Sequence, residues 1–174
     1  AAQTFTDFEA LCINDGSTDG SLDIIKRYME KDQRFRLIDK ENSGYGASMN
    51  LGIDTARGEY IGILEPDDFF EPNALELLYS LVKGASADAP VDVAKANYWF
   101  YWSTPKERNQ LISVCKLPMT DAPFNPRDVR EVFYCIPSIW SALYRREMLV
   151  EKGVRFLETA GASFQDLGFQ FKVW

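Results

Sequence analysis

The chain has 174 residues, 46% of them hydrophobic and 26% charged, with a formal net charge of −7. That composition suits a single folded domain with a substantial core and excludes a disordered chain. An acidic chain without a basic run lacks the positive patch that phosphate-backbone recognition needs, which disfavours nucleic-acid binding as a main role, and no apolar stretch nears the roughly 20 residues of a membrane span.

The absence of histidine excludes more. Ser-His-Asp and Cys-His nucleophilic catalysis and His-containing zinc sites are ruled out. Any catalytic acid or base must be a carboxylate, lysine or tyrosine, and any metal must be held by oxygen, which suits Mg²⁺ or Mn²⁺. Cys12, Cys115 and Cys135 are widely spaced and odd in number, so they are expected to be reduced core residues of a cytoplasmic protein.

The first seven residues are polar. Phe8 to Ile13 is a short apolar run that predicts a buried strand. It ends in Asn14-Asp15-Gly16-Ser17-Thr18-Asp19-Gly20-Ser21, a turn and capping cluster. Leu22, Ile25, Tyr28 and Met29 then recur at helical spacing. Arg34 to Asp39 alternates as a second strand, and Asn42-Ser43-Gly44-Tyr45-Gly46 leads into a small-residue helix through Ala47, Asn50, Leu51 and Ile53. Glu59 to Leu64 predicts a third strand, and the acidic run Glu65-Pro66-Asp67-Asp68 follows it directly. Pro72 opens a helix with Ala74, Leu77, Leu78, Leu81 and Val82 on one face and Gly84 at its end. Three strand–helix alternations with short connections predict an α/β fold with a mostly parallel sheet flanked by helices.

The second half is less regular. Val91 to Trp102 begins as a strand and becomes aromatic at Tyr98-Trp99-Phe100-Tyr101-Trp102, which reads as core. Residues 103–124 show no period and form a long excursion. Asn125-Pro126 starts a helix, Ile136 to Tyr144 is strand-like, and Arg145 to Lys152 is a short helix stopped by Gly153. Val154-Arg155-Phe156 is extended, Gly161 to Asp166 is a loop, and a helix opens at Leu167.

Three groups of residues carry chemistry. Asp15-Gly16-Ser17 sets a carboxylate beside backbone N–H donors at a strand end, which serves either a helix cap or a grip on a ribose or base edge. Asp67 and Asp68 lie where α/β proteins keep ligands, and two adjacent carboxylates there repel each other unless a cation joins them. Mg²⁺ needs only one or two carboxylates plus ligand phosphates. Asp166, taken alone, reads as a helix N-cap or first-turn acid, while Trp140 and Tyr144 are candidates for stacking on a sugar ring.

Together these pieces resemble the GT-A, Rossmann-like fold of family 2 inverting glycosyltransferases. The resemblance is carried by Asp15 to Ser21, by Asn42-Ser43-Gly44 with Asn50, and by Gly58-Glu59-Tyr60-Ile61. Glu65-Pro66-Asp67-Asp68 stands at the family's D-x-D metal motif, and Gln165-Asp166 with Phe169 is similar to its acceptor-side Glu-Asp-x-x-Phe. It implies one domain over 1–174, with a nucleotide-binding half at 1–90 and an acceptor-side half at 91–174. Asp15, Gly16, Ser17, Gly44 and Asp67 are then expected to bind the nucleotide of a donor such as a UDP-sugar. Asp68, with Asp67, is expected to hold Mn²⁺ or Mg²⁺, and Asp166 to be the general base toward a glycan or lipid-linked acceptor. The family's opening strand would precede this chain, which is thus expected to be a piece of a longer protein, cytoplasmic or at the inner face of a membrane. A sugar nucleotidyltransferase, or a non-catalytic metal- or nucleotide-binding domain, is the alternative.

Overall fold

A computed structural model of the chain describes residues 1–86, 88–114, 122–161 and 164–174. Strand β1 (Ala10–Asp15) and helix α1 (Ser21–Lys31) lead to β2 (Phe35–Lys40), which pairs with β1 in parallel. Parallel pairing requires a crossover, and α1 supplies it. The apolar stripe of α1 is only half used: Leu22 and Ile25 are partly covered, while Tyr28 and Met29 are exposed. Helix α2 (Tyr45–Thr55) follows, then β3 (Tyr60–Gly62) and α3 (Ala74–Val82).

Strand β7 (Ala142–Arg145) lies between β3 and β4 (Val93–Lys95) and runs antiparallel to both. β3 and β4 therefore point the same way, and β7 is the reversed strand wedged between them. Its two faces bury different layers. Tyr144 faces a core with Ile53, Ile139, Met148, Leu149, Phe156 and Phe169, whereas Leu143 and Ala94 pack under Leu78 and Val82 of α3. Leu77 and Leu81, expected on the same α3 face, are 58% and 40% exposed. They stand three residues apart from Ala74 and Leu78 but rotated off the narrow stripe that a short sheet can cover.

The predicted strand across 91–102 breaks at Ala96-Asn97, and β5 (Tyr98–Phe100) pairs with β6 (Gln110–Ile112) as a separate hairpin. The aromatic run is therefore not core: Trp99, Phe100, Tyr101 and Trp102 are each about half exposed. An isolated hairpin has one face with nothing to bury against. After Asn125 no α-helix forms; residues 130–134 make a 3₁₀ turn instead. The excursion's residues 115–121 lie outside the described residues, as do 162–163 of the loop before Asp166. Cys12 is free and partly buried as expected, but Cys135 is disulfide-bonded, which corrects the reading of three reduced thiols. Cys115 lies outside the described residues.

Helix α4 (Arg146–Glu151) ends at Gly153, whose φ of +61° is a left-handed stop. Residues 154–158 then run beneath α2, with Val154 and Phe156 buried, and lead to α5 (Gln165–Val173). At the start of the chain Gln3 and Thr4 strap the first turn of α3. Gln3 accepts from the Leu75 N–H at 3.0 Å, which satisfies one of the helix's orphan donors, and Thr4 donates to Glu76 at 2.6 Å.

Candidate active site

The β1–β2 register sets Asp15 opposite Lys40, and the two form an ion pair. Asp15 also accepts from the backbone N–H groups of Ser43 (2.9 Å) and Gly44 (3.1 Å), while Lys40 donates to the Ser43 hydroxyl at 2.6 Å. Burial alone would push the Asp15 carboxyl up; Lys40 and the Ser43 N–H outweigh it and hold the group below the usual carboxylate range. Asp15 thus shapes the 42–44 turn, and with about four acceptor positions on a carboxylate it retains capacity for a ligand. Gly16 is required twice. Its φ is +72°, and an added Cβ would sit 2.9 Å from the Asn42 nitrogen.

Beyond β3 the chain turns at Glu65-Pro66-Asp67-Asp68, closed by the Asp68 N–H donating to the Glu65 carbonyl at 3.1 Å. Glu65 is partly buried and accepts from the Tyr45 hydroxyl at 3.0 Å. Burial raises its pKa first, the Tyr45 bond works against that, and the charges of Asp67, Asp68 and Asp166 push it up further. Asp68 is raised by burial and then by Asp67. Tyr45 is raised in turn by burial and by Glu65. Among the described residues no ion pair joins Glu65, Asp67 or Asp68 to a lysine or arginine.

A run of acids lacking a basic neighbour is a donor set suited to a hard cation. Among the described residues no group of three or more Asp, Glu, Cys or His converges into a complete metal cage. Asp67 and Asp68 are both exposed, so they fit a divalent ion whose remaining positions are filled by phosphate oxygens and water.

Asp166 lies in the first turn of α5 rather than in the loop ahead of it. Gln165, beside it, is 3% exposed and donates to Thr159 Oγ1 (3.1 Å) and to the Gly161 carbonyl (2.8 Å). A glutamate there would lack that amide donor, so Gln165 pins the turn as well as lining the site. Phe164 precedes it with φ +54°.

These elements enclose a cleft of about 620 Å³. Asp15, Asn42, Gly44, Tyr45, Glu65, Gly161, Phe164, Gln165 and Asp166 line it. Of the residues expected from the sequence, Asp15, Gly44 and Asp166 meet here. Gly16, Ser17, Asp67 and Asp68 are not among the lining residues. Tyr45 went unnoticed in the sequence, although its place directly after Gly44 at a helix start was the available signal. Tyr144 is not a sugar platform: it is 1% exposed and its hydroxyl donates to the Ile139 carbonyl at 3.1 Å. Trp140 packs edge-on against Tyr98, with centroids 5.6 Å apart.

The model of glycosyl transferase family 2 matches residues 1–151. Among curated proteins, the uncharacterized glycosyltransferase YibD of Escherichia coli is 31% identical over 168 residues, covering 95% of this chain and 47% of that protein. The cholesterol galactosyltransferase of Borreliella burgdorferi is 27% identical over 179 residues, covering 99% of this chain and 48% of the other. The chain thus spans about half the length of these relatives. Among solved structures, residues 1–349 of TarS from S. aureus, in complex with UDP, superpose with a TM-score of 0.65 at 19% identity, covering 99% of this chain and 48% of that one. That likeness shows a shared GT-A fold.

Proposed function

Because the chain belongs to glycosyl transferase family 2, we propose that it forms the catalytic part of an enzyme moving a sugar from a UDP-sugar to an acceptor hydroxyl, with inversion and with Mn²⁺ or Mg²⁺ bound. The observation that carries this reading is the single cleft onto which Asp15, Gly44, Glu65 and Asp166 all open. The UDP bound to the TarS structure and the lipid acceptor in the Borreliella relative's name support a nucleotide-diphosphate donor and a glycan or lipid-linked acceptor.

In this reading residues 1–90 hold the donor and 91–174 face the acceptor. Asp15, backed by Lys40, keeps the 42–44 turn in place beside the nucleoside. Asp68 and Asp67 would hold the metal, which when bound would supply positive charge to the diphosphate leaving group. Asp166 accepts the acceptor's hydroxyl proton as that oxygen bonds to the anomeric carbon from the side opposite the diphosphate. The anomeric C–O bond breaks, and its electron pair leaves on the phosphate. No histidine competes for the proton. Among the described residues no helix is long and apolar enough to cross a membrane. Action at the cytoplasmic face of a membrane is part of the same proposal and rests on the donor chemistry, since Cys135 does not support a reduced-thiol argument.

Calorimetry of UDP binding to the full-length protein tests the reading. Binding is expected with Mn²⁺, is expected to vanish with EDTA, and is expected to be lost in Asp68→Ala. Metal-independent binding that survives this substitution would refute the metal assignment. Incubation with UTP and a sugar 1-phosphate should yield no UDP-sugar; product there would favour a nucleotidyltransferase.

A further inference from the structure

Asp166 stands far along the chain from the donor-side residues, which run from Asp15 to Asp68, so something must fix the distance between them. The physical link is α2 (Tyr45–Thr55) lying along residues 154–158. Asn50, 7% exposed, carries most of the bonding. Its amide donates to the Phe156 carbonyl (3.1 Å) and to Glu158 Oε1 (2.8 Å), and its carbonyl accepts from the Phe156 N–H (2.9 Å). One turn earlier, Gly46 lets the two backbones touch: an added Cβ would lie 2.0 Å from the Leu157 carbonyl oxygen. One turn later, Arg155 reaches Asp54 at 2.8 Å.

Both ends of this seam lead into the cleft. At the N-terminal end of α2, Gly44 donates to Asp15, and Tyr45 donates to Glu65 while packing its ring edge-on against Phe156. Phe156 stacks at 4.1 Å on Phe169 of α5, the helix that carries Asp166. Residue 158 runs on into Thr159, which Gln165 grips beside Asp166. The contacts named here that join α2 to the Asp166 side run through residues 155–159.

We propose that Asn50, with the close approach at Gly46, is the positioning element that sets Asp166 against the donor. The proposal rests on the reading of Asp166 as the base. Asn50 touches no reacting atom in this account. Its bonds use both amide hydrogens and the carbonyl oxygen, so no other residue type of its size satisfies them. A misplacement near 1 Å at a base costs about a hundredfold in rate without weakening donor binding.

The experiment is Asn50→Asp in the full-length protein. The substitution keeps the acceptor for the Phe156 N–H but turns a carboxylate toward Glu158 and the Phe156 carbonyl. UDP release is followed with UDP-glucose, UDP-galactose and UDP-N-acetylglucosamine, and UDP affinity is measured with Mn²⁺. The expected result is a kcat at least about tenfold lower with UDP affinity unchanged, and faster amide exchange across 156–161 but not at 43–45. Adding Glu158→Gln to Asn50→Asp returns an amide donor to the pair and should recover part of kcat. An unchanged kcat, an equal loss of UDP affinity, or no recovery in the double variant overturns the proposal. If Asn50→Asp does not fold, Glu158→Ala, at an exposed position, is expected to give the same exchange pattern and a smaller loss of kcat, and its absence counts against the proposal equally. Asp166→Asn, assayed alongside, separates the two ideas: normal transfer there removes the base assignment, whereas the exchange pattern reports on the seam alone.

Discussion

Asp15→Asn separates what this residue does for the fold from what it does for a ligand. The wild-type carboxylate takes three donors: Lys40 Nζ and the N–H groups of Ser43 and Gly44. An asparagine keeps one oxygen and replaces the other with an amide that cannot accept. One backbone N–H therefore loses its partner, which costs about 1–3 kcal/mol. Lys40 and Asp15 are each about one-fifth exposed, and the lost ion pair adds about 1 kcal/mol at most after solvent screening. The variant should be destabilised by about 1–4 kcal/mol at pH 7. Because the folded carboxyl is held below its ordinary value, its contribution is complete above the unfolded pKa and is lost as pH falls through the folded one. Urea unfolding of wild type and variant, followed by tryptophan fluorescence at pH 7 and near pH 3, measures both. A gap under about 0.5 kcal/mol at pH 7, or one undiminished in acid, would refute the reasoning that Asp15 anchors the turn.

Lys95 gives a second pH signature of the same sense in a higher pH window. Burial depresses its pKa to about 7 from 10.5, and it donates to the Ser138 carbonyl at 2.5 Å. The unfolded chain binds more protons between those values, so stability should rise with pH across that window by up to roughly 1.4 kcal/mol per pH unit, and Lys95→Met should remove the slope from matched denaturation curves. Phe169→Ala deletes a fully buried ring stacked on Phe156 and edge-on to Tyr144; a loss of about 3–5 kcal/mol is expected in the same assay. Tyr45→Phe removes the hydrogen bond that favours ionised Glu65, so the acid limb of the pH–rate profile should move up by roughly one to two pH units. An unmoved limb would take Glu65 out of the rate-determining ionisation.

What the chain discloses before folding is mostly local. The alternation from Phe8 to Val82 announces strands and helices through short-range periodicity, and β1, β2, α2 and α3 fall within a few residues of their predicted places. Asp15 and Asp166 are legible because strand ends and helix starts carry recognisable turn chemistry. Other features depend on distant partners. Nothing around Ala142 to Arg145 shows that the strand is reversed and wedged between β3 and β4, because both neighbours are more than 45 residues away. The aromatic run from Trp99 to Trp102 has core composition and still lies outward, since its hairpin pairs only with itself. Leu77 and Leu81 have the right spacing for a broad buried face, but the sheet beneath α3 covers only Leu78 and Val82. The disulfide at Cys135 was illegible because spacing says nothing about which thiols meet. Asn50 was visible as part of a family pattern, while its bonds to Phe156 and Glu158, 106 and 108 residues away, belong to the folded chain alone.

The central claim is that Asp166 takes the acceptor's proton in a cleft whose other side holds the donor. Asp166→Asn in the full-length protein, with UDP binding and sugar transfer measured on the same sample, tests it most directly. The account predicts Mn²⁺-dependent UDP binding at wild-type affinity and transfer reduced by about 10²–10⁴-fold. Wild-type transfer by this variant would contradict it.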